Sequence, residues 1–472
     1  MVFSNLVFLF VFLPIVIVSY YLIRKEFKNI LLLVASLFFY AWGEPRYIIL
    51  MIISIIINYF MGLIVNYRFK HRNYNKLILA AAIILNLLIL SYYKYADFIL
   101  SNLNGLFGLE YELKAIALPI GISFYTFQAI SYLIDIYRNE SKPQKNIIDL
   151  ALYISFFPQL VAGPIVRYES IAQQLKLRYE NVGLFSQGVR QFIIGLAKKI
   201  LIANQVGLVA DEIFSTNTSQ LSPSLAWVGI IAYTLQIFFD FSGYSDMAIG
   251  LGKMFGFNLP MNFNYPYISR SVTEFWRRWH ITLGGWFRDY VYIPLGGNRT
   301  STWKYIRNII IVWFLTGLWH GASWNFVAWG LYFGAIIALE KFGFGKLLSR
   351  LWRPIQHIYL IIIVVIGWVF FRSESFTQSF TYLKTMFGFS KVGFFELQSL
   401  YYIHDYWLYF VIGILFSMPI GQMLTTAIKR RVSESAYSLV EVVQTVLILG
   451  LFYVSVLYLT SSTFNPFIYF RF

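Results

Sequence analysis

Apolar runs long enough to cross a bilayer recur from one end of the chain to the other, and they constrain the fold more than any motif does. The first lies in MVFSNLVFLFVFLPIVIVSYYLIRKEFK (residues 1–28). It has no basic region ahead of it and no small-residue cleavage site, so it reads as a retained helix rather than a signal peptide. Charged residues make up 13% of the chain and hydrophobic ones 58%, against about 25% charged in a soluble domain. The mean hydropathy is +0.63. An all-α integral membrane protein is expected, because unbroken runs of this kind do not fit the alternating strands of a membrane barrel. At about 20 apolar residues per span, the 472 residues hold about ten crossings. The absence of cysteine excludes disulfides, thiolate metal sites and a cysteine nucleophile.

Basic residues alternate with the runs. Arg24, Lys25 and Lys28 follow the first, Arg68, Lys70, Arg72 and Lys76 the third, and Arg138, Lys142 and Lys145 mark a later return. The positive-inside rule assigns these loops to the cytoplasm and both termini to the outside. The same loops account for the formal net charge of +16, so the lipid bilayer is the expected partner and nucleic acid is not. In ALYISFFPQLVAGPIVRYES (151–170), Pro158, Gly163 and Pro164 interrupt an apolar stretch that leaves at Arg167 on the basic side where it entered, which fits a re-entrant element. Helices near 186–210 and 225–252 cross out and back. Residues 308–340 form a stretch of about 50 Å if helical. One straight span there leaves the basic 341–353 loop on the wrong side, so two shorter segments meeting near WHGASWN (319–325) are expected. Further crossings near 356–372, 405–428 and 440–460 complete a single domain, 1–472, with an external aromatic tail at 461–472.

His320 sits in the break between those two segments. An ionisable group at membrane depth is costly and usually faces the protein interior or a water-filled cavity. The residues leave two readings open: a neutral histidine bonded to a neighbouring helix, or a general base, for which an ordinary pKa of about 6.5 is suited. A lone histidine without cysteines or carboxylates is a poor metal site, so no metal is expected. In SRSVTEFWRRWHITLGGWFRDYVYIPLGGNR (269–299), Thr273, Arg277 and His280 are expected on one helical face, with Trp276 beside them and Arg278 and Arg288 available to phosphates or headgroups. By themselves these residues favour an amphipathic interfacial helix with snorkelling arginines. The ending STFNPFIYFRF reads, on composition, as an aromatic belt at the outer interface.

The pairing of EFWRRWHITLGGWFRDYVYIPLGGNR with FLTGLWHGASWNFVAWG resembles the membrane-bound O-acyltransferase (MBOAT) family, in its bacterial branch of alginate and peptidoglycan O-acetylation proteins. The resemblance continues through LPIGISFYTFQAISYLIDIYR, FFPQLVAGPIVR and IFFDFSGYSDMAIGLGKMFGF, and so covers nearly the whole chain. It implies a polytopic MBOAT-type helical fold in a bacterial plasma membrane. By the same resemblance His320 is the principal catalytic histidine and His280 the second signature position, while Asp240, Ser242, Tyr244 and Asp246 match a further signature.

Acyl transfer to a hydroxyl needs a base and donors for the developing oxyanion. His320 is the expected base. Oxyanion or pocket candidates are the backbone near Gly321 and Ala322, the side chain of Asn325, and Asp240 and Asp246. Arg277, Arg278 and Arg288 are candidates for the phosphates of acetyl-coenzyme A, which enters as donor substrate and not as a bound cofactor. The tail resembles tyrosine-containing tails of the same branch, making Tyr469 a candidate acyl carrier whose ester, with a phenol of pKa about 10 as leaving group, is more activated than a sugar ester. The implied partners are an extracytoplasmic SGNH/GDSL-like acetyltransferase and a cell-surface glycan as final acceptor. The competing expectations are a teichoic-acid D-alanyl transferase and a transporter or flippase without covalent chemistry.

Overall fold

A computed structural model describes residues 2–67, 72–112, 116–389, 392–431, 434–462 and 464–468. Among the described residues all regular structure is helical. Eight helices are long and apolar enough to cross a membrane, or nine when the bent pair Leu397–Phe416 and Ile420–Ile428 is taken as one span. Shorter apolar helices such as Phe8–Leu22 stand beside them. The chain forms two compact units, one of Met1–Phe192 with Met247–Pro260, the other of Ile193–Asp246 with Met261–Phe472.

The first unit shows how the chain answers to lipid. In helix Ile48–Asn66 the buried positions are Met51, Ser54, Ile55, Asn58, Gly62 and Val65, spaced as one helical face requires. Ile49, Ile52, Ile53, Ile56 and Phe60 are exposed. Ser54, Asn58 and Gly62 are inside while these exposed residues are all apolar, because hydrocarbon solvates only apolar surface and a polar group needs a partner in the interior. Asn58 and Asn86 exchange amide hydrogen bonds of 3.0 and 2.9 Å. The segment 151–170 is broken as expected, into Ile147–Ser155, Phe157–Leu160 and Tyr168–Lys176, and residues 151–166 are all buried. Its irregular backbone is satisfied locally: the Tyr153 hydroxyl donates to the Val166 carbonyl at 3.0 Å and the Gln159 amide to the Tyr153 carbonyl at 2.6 Å.

The second unit is built on a helical hairpin. Thr302–His320 and Trp324–Leu339 are separated only by Gly321, Ala322 and Ser323, so the break lies where the sequence places it. Glycine lets the two arms close backbone to backbone: a Cβ on Gly317 would overlap the carbonyl oxygen of Phe326, and one on Gly330 the carbonyl oxygen of Trp313. Helix Arg353–Arg372 packs on the second arm. The crossing expected as one span at 405–428 is instead two helices bent by 63°. Pro419 lies in the bend, where its missing N–H and ring prevent an unbroken helix.

The hairpin contact yields a test. Gly330→Ala should destabilise the protein by about 1–3 kcal/mol through overpacking. Gly450→Ala, where a Cβ meets nothing within 4 Å, should be neutral or slightly stabilising, since alanine is the better helix former by about 1 kcal/mol. Thermal melting in detergent compares the two, and equal melting temperatures would mean that the arms do not need their close contact.

Candidate active site

His320 is the last residue of the first hairpin arm and is buried. Its ring meets Trp319, Trp329 and Phe371 edge to face at 5.0, 5.0 and 5.2 Å between centroids. A cavity of about 20 Å³ opens beside it, walled by Ile237, Asp240, Phe241, Trp279, Trp329, Trp368, Phe371 and Ile468. That is room for about one water. Ile468 belongs to the C-terminal tail, so the tail enters the histidine's cavity; Tyr469 itself lies outside the described residues. The indole nitrogen of Trp329 is buried and has no hydrogen-bond partner among the described residues, leaving a donor in the wall of this cavity.

The expected single face of Thr273, Arg277 and His280 does not form. Helix Val272–Arg278 ends before Trp279, and His280 takes the left-handed conformation, with φ +46°, that starts a new helix at Ile281. Asn262 holds it there: its Oδ1 accepts from His280 Nδ1 at 3.1 Å, from the Thr282 N–H at 3.2 Å and from the Thr282 hydroxyl at 2.9 Å. Phe241 lies edge-on over the imidazole at 4.6 Å, and Trp319, the neighbour of His320, is 6.0 Å away. Burial pushes the His280 pKa down to about 3, so the ring is neutral at any working pH and acts by position, not charge.

A second cavity, of about 750 Å³, is lined by Arg270, Thr273, Arg277, Arg288, Tyr292, Tyr305, Glu340, Lys341 and Gln356 among others. The Glu340 carboxylate is turned to the helix start, accepting the N–H groups of Val272 and Thr273 at 2.7 and 2.8 Å and the Thr273 hydroxyl at 2.5 Å. Its charge thereby serves the positive end of the helix, and Arg270, Arg277 and Lys341 give the cavity its sign, joined by Arg288, whose guanidinium pairs with Asp289 at 2.6 Å. Arg278 is not in the wall; it pairs with Glu274 at 3.0 Å and donates to the Asn264 carbonyl at 3.2 Å. Helix Val272–Arg278 runs along the large cavity, which Thr273 and Arg277 line, and Trp279, the residue that follows it, lines the small one.

Of the other expected residues, Asp240 lines the small cavity. Asn325 and Asp246 do not: the Asn325 amide donates to the Ser373 carbonyl at 2.8 Å, and Asp246 pairs with Lys198 at 2.6 Å. Trp329, Arg270, Glu340, Lys341 and Lys199 were not singled out by the sequence. Lys199 carried a readable signal, because a lysine inside an apolar helix asks for a partner; one tryptophan among 13 carries none.

The depressed His280 pKa has a measurable consequence. A folded pKa below the unfolded value of about 6.5 gives stability that is complete above pH 6.5 and lost as pH falls towards 3. The loss approaches about 1.4 kcal/mol for each pH unit below about 6. His280→Gln should therefore melt with a flatter pH dependence between pH 7 and 5 than the wild type, and parallel curves would refute neutral burial of the ring.

The family model of the membrane-bound O-acyltransferases matches residues 139–372, a stretch that contains the arginine helix and the hairpin. The chain is 39% identical to a probable alginate O-acetylase AlgI of Azotobacter vinelandii, aligned over 100% of both chains. It is 37% identical to a peptidoglycan O-acetyltransferase of Helicobacter pylori over 83% of this chain and 81% of the relative. A teichoic acid D-alanyltransferase of Bacillus subtilis is 29% identical over 53% of this chain and 66% of the relative. Matched end to end by such a relative, and by the family model over 139–372, this multi-pass chain belongs to the membrane-bound O-acyltransferase family.

Proposed function

We propose that the protein is a membrane O-acetyltransferase that takes acetyl groups from cytoplasmic acetyl-coenzyme A and moves them across the membrane for O-acetylation of a cell-surface glycan, either an alginate-like polysaccharide or peptidoglycan. The observation that carries this reading is the placement of a cation-lined cavity along helix Val272–Arg278 and of the His320 cavity at Trp279, the residue that follows it. The names of the relatives aligned over most of the chain favour acetyl transfer over D-alanyl transfer.

The donor's phosphates sit at Arg270, Arg277, Arg288 and Lys341, where guanidinium groups offer paired donors. Its thioester arm passes the C-terminal end of the arginine helix, at Trp279, to reach His320. There His320 removes the proton of the accepting hydroxyl as the oxygen attacks the acetyl carbonyl carbon. The Trp329 N–H stabilises the oxyanion, the C–S bond breaks, and the departing thiolate takes the proton from His320. Asn325 supports the hairpin through Ser373 and is not the side-chain oxyanion donor. His280 and Asn262 hold the base's surroundings.

Tyr469, one residue beyond Ile468, is the first acceptor in this scheme. An extracytoplasmic SGNH/GDSL-like acetyltransferase then collects the acetyl group from the tyrosyl ester and delivers it to the glycan. The chain acts as one catalytic domain, 1–472, in the bacterial plasma membrane, with both termini outside and the basic cavity facing the cytoplasm.

Incubation of the purified protein with labelled acetyl-coenzyme A tests the scheme. His320→Ala should lower transfer by about 10²- to 10⁴-fold. Trp329→Phe, which keeps a ring and loses the N–H, should lower kcat by about 10²-fold at unchanged donor KM. Label should appear on the C-terminal peptide of the wild type and be missing in Tyr469→Phe and His320→Ala; a labelled Tyr469→Phe tail would remove the carrier role, and an active His320→Ala would remove the base.

The donor site has its own signature. The double variant Arg277→Gln, Arg288→Gln should raise donor KM about tenfold and weaken its salt dependence, with kcat nearly kept, because the phosphates lie away from the reacting carbonyl. A fall in kcat at constant KM would place the arginines elsewhere in the mechanism.

A further inference from the structure

Two lysines and two aspartates stand inside apolar helices of the second unit, and the acyl-transfer chemistry uses none of them as acid, base or donor. Lys199 Nζ and Asp240 Oδ1 are 2.6 Å apart, with side chains only 4% and 2% exposed. Lys198 and Asp246 pair at 2.6 Å nearby. A buried ion pair recovers the cost of its desolvation only when the remaining protons and lone pairs also find partners. For Lys199 and Asp240 those partners come from the tail. Lys199 Nζ donates to the carbonyl of Pro466, and Asp240 Oδ2 accepts the N–H of Ile468 at 2.8 Å. The Asn204 amide donates at 3.3 Å to the carbonyl of Phe464 and to Asn465 Oδ1. Phe467 stacks on Tyr244 with centroids 4.6 Å apart.

We propose that the Lys199–Asp240 pair, with Asn204 and Tyr244, is the binding site for the chain's own C-terminal strand, and that it positions residues 464–468 so that the end of the strand closes the His320 cavity. The main chain is bound at residues 464, 466 and 468, so the site reads backbone atoms of the tail at three positions. Proline suits position 466, since only its carbonyl is used and its N–H is not needed. These contacts read main-chain atoms, so they fix the reach and register of the strand independently of the side chain that follows.

The helices are shaped for this site. Asp240 and Asp246 lie three residues either side of Gly243 in helix Pro223–Met254. A Cβ on Gly243 would come within 2.7 Å of the Gly195 carbonyl and 3.2 Å of the Lys198 Cβ. The facing helix widens to a π-helical turn over Lys198–Ala203, as helices often do at functional sites. The consecutive lysines therefore diverge around the close contact, one to each aspartate. The Asp240-to-Asp246 signature thus becomes a clasp for the tail.

The functional meaning of the clasp rests on the acyl-transfer reading above, whereas its existence is testable without any acyl donor. The chain has no cysteine, so Ile237→Cys introduces a single thiol in the wall that Ile468 shares. Its modification by a small thiol reagent, in the full-length protein in detergent, reports whether the strand is seated. With the clasp intact the thiol should react slowly. Lys199→Leu with Asp240→Leu removes both charges together and should speed labelling about tenfold or more by local opening. Lys199→Gln with Asp240→Asn keeps a donor and an acceptor and should stay within about threefold of the parent.

Ile468→Pro deletes the N–H bound by Asp240 from the tail side, leaving the helices that carry Lys199 and Asp240 unchanged, and should also speed labelling about tenfold. Parental rates in both the leucine pair and Ile468→Pro overturn the clasp. Fast labelling in the leucine pair with parental protection in Ile468→Pro overturns it too, since the fault then lies in the helices. Protection that behaves as expected while Tyr469 takes no label from acetyl-coenzyme A removes the carrier role and leaves the clasp standing.

Discussion

In hydrocarbon an unpaired polar group has no water to turn to, and this constraint orders every polar side chain described above. Asn58 answers it by pairing with Asn86, a purely structural solution. Glu340 answers it by taking the free N–H groups of a helix start, which also steadies the arginines of the large cavity. Lys199 and Asp240 answer it by binding each other and the main chain of the tail. The same need for partners that makes polar residues rare in such a chain concentrates them where the chain can use them.

Close helix contact is the second organising element. Gly317 and Gly330 bring the hairpin arms together, so that His320 sits at the turn with Trp329 against its ring. From there an aromatic layer continues along the arginine helix: Trp276 lies 4.9 Å from Phe333 and 5.4 Å from Trp329, and Trp279 lies 4.9 Å from Trp368. Stacked and edge-on rings of this kind fill space without polar atoms. They stand between the large, cation-lined cavity and the small one beside His320.

The sequence was most legible where one residue type has few alternatives. The position of the hairpin break followed from the length of 308–340 and the sign of the next loop, and the irregularity of 151–170 from Pro158, Gly163 and Pro164. Arg277 and Arg288 line the large cavity while Arg278 pairs with Glu274 one turn back, a difference in direction that spacing alone does not reveal. His280 was placed on the wrong element for a related reason. A left-handed residue held by Asn262, distant in sequence, leaves no mark in helical periodicity. The π-helical turn and the seat of the tail were invisible because both depend on a facing helix that the local sequence does not name.

The small cavity sets a condition on how the site works. About 20 Å³ holds about one water, too little for an acetyl thioester and an attacking hydroxyl together, so the arrangement with Ile468 in the wall is a closed one. Of the wall, the tail is the part held by hydrogen bonds to Lys199, Asp240 and Asn204 and by the ring of Phe467 on Tyr244, whereas the tryptophans interlock within packed helices. The tail is thus the element that can shift within its seat at least cost, and a ligand that binds only the widened cavity favours that arrangement by its differential affinity for the two. A clasp made from charged groups suits that exchange. When the strand withdraws, Lys199 and Asp240 keep each other as partners, so opening does not strand a buried charge, and the seat remains formed for the strand's return.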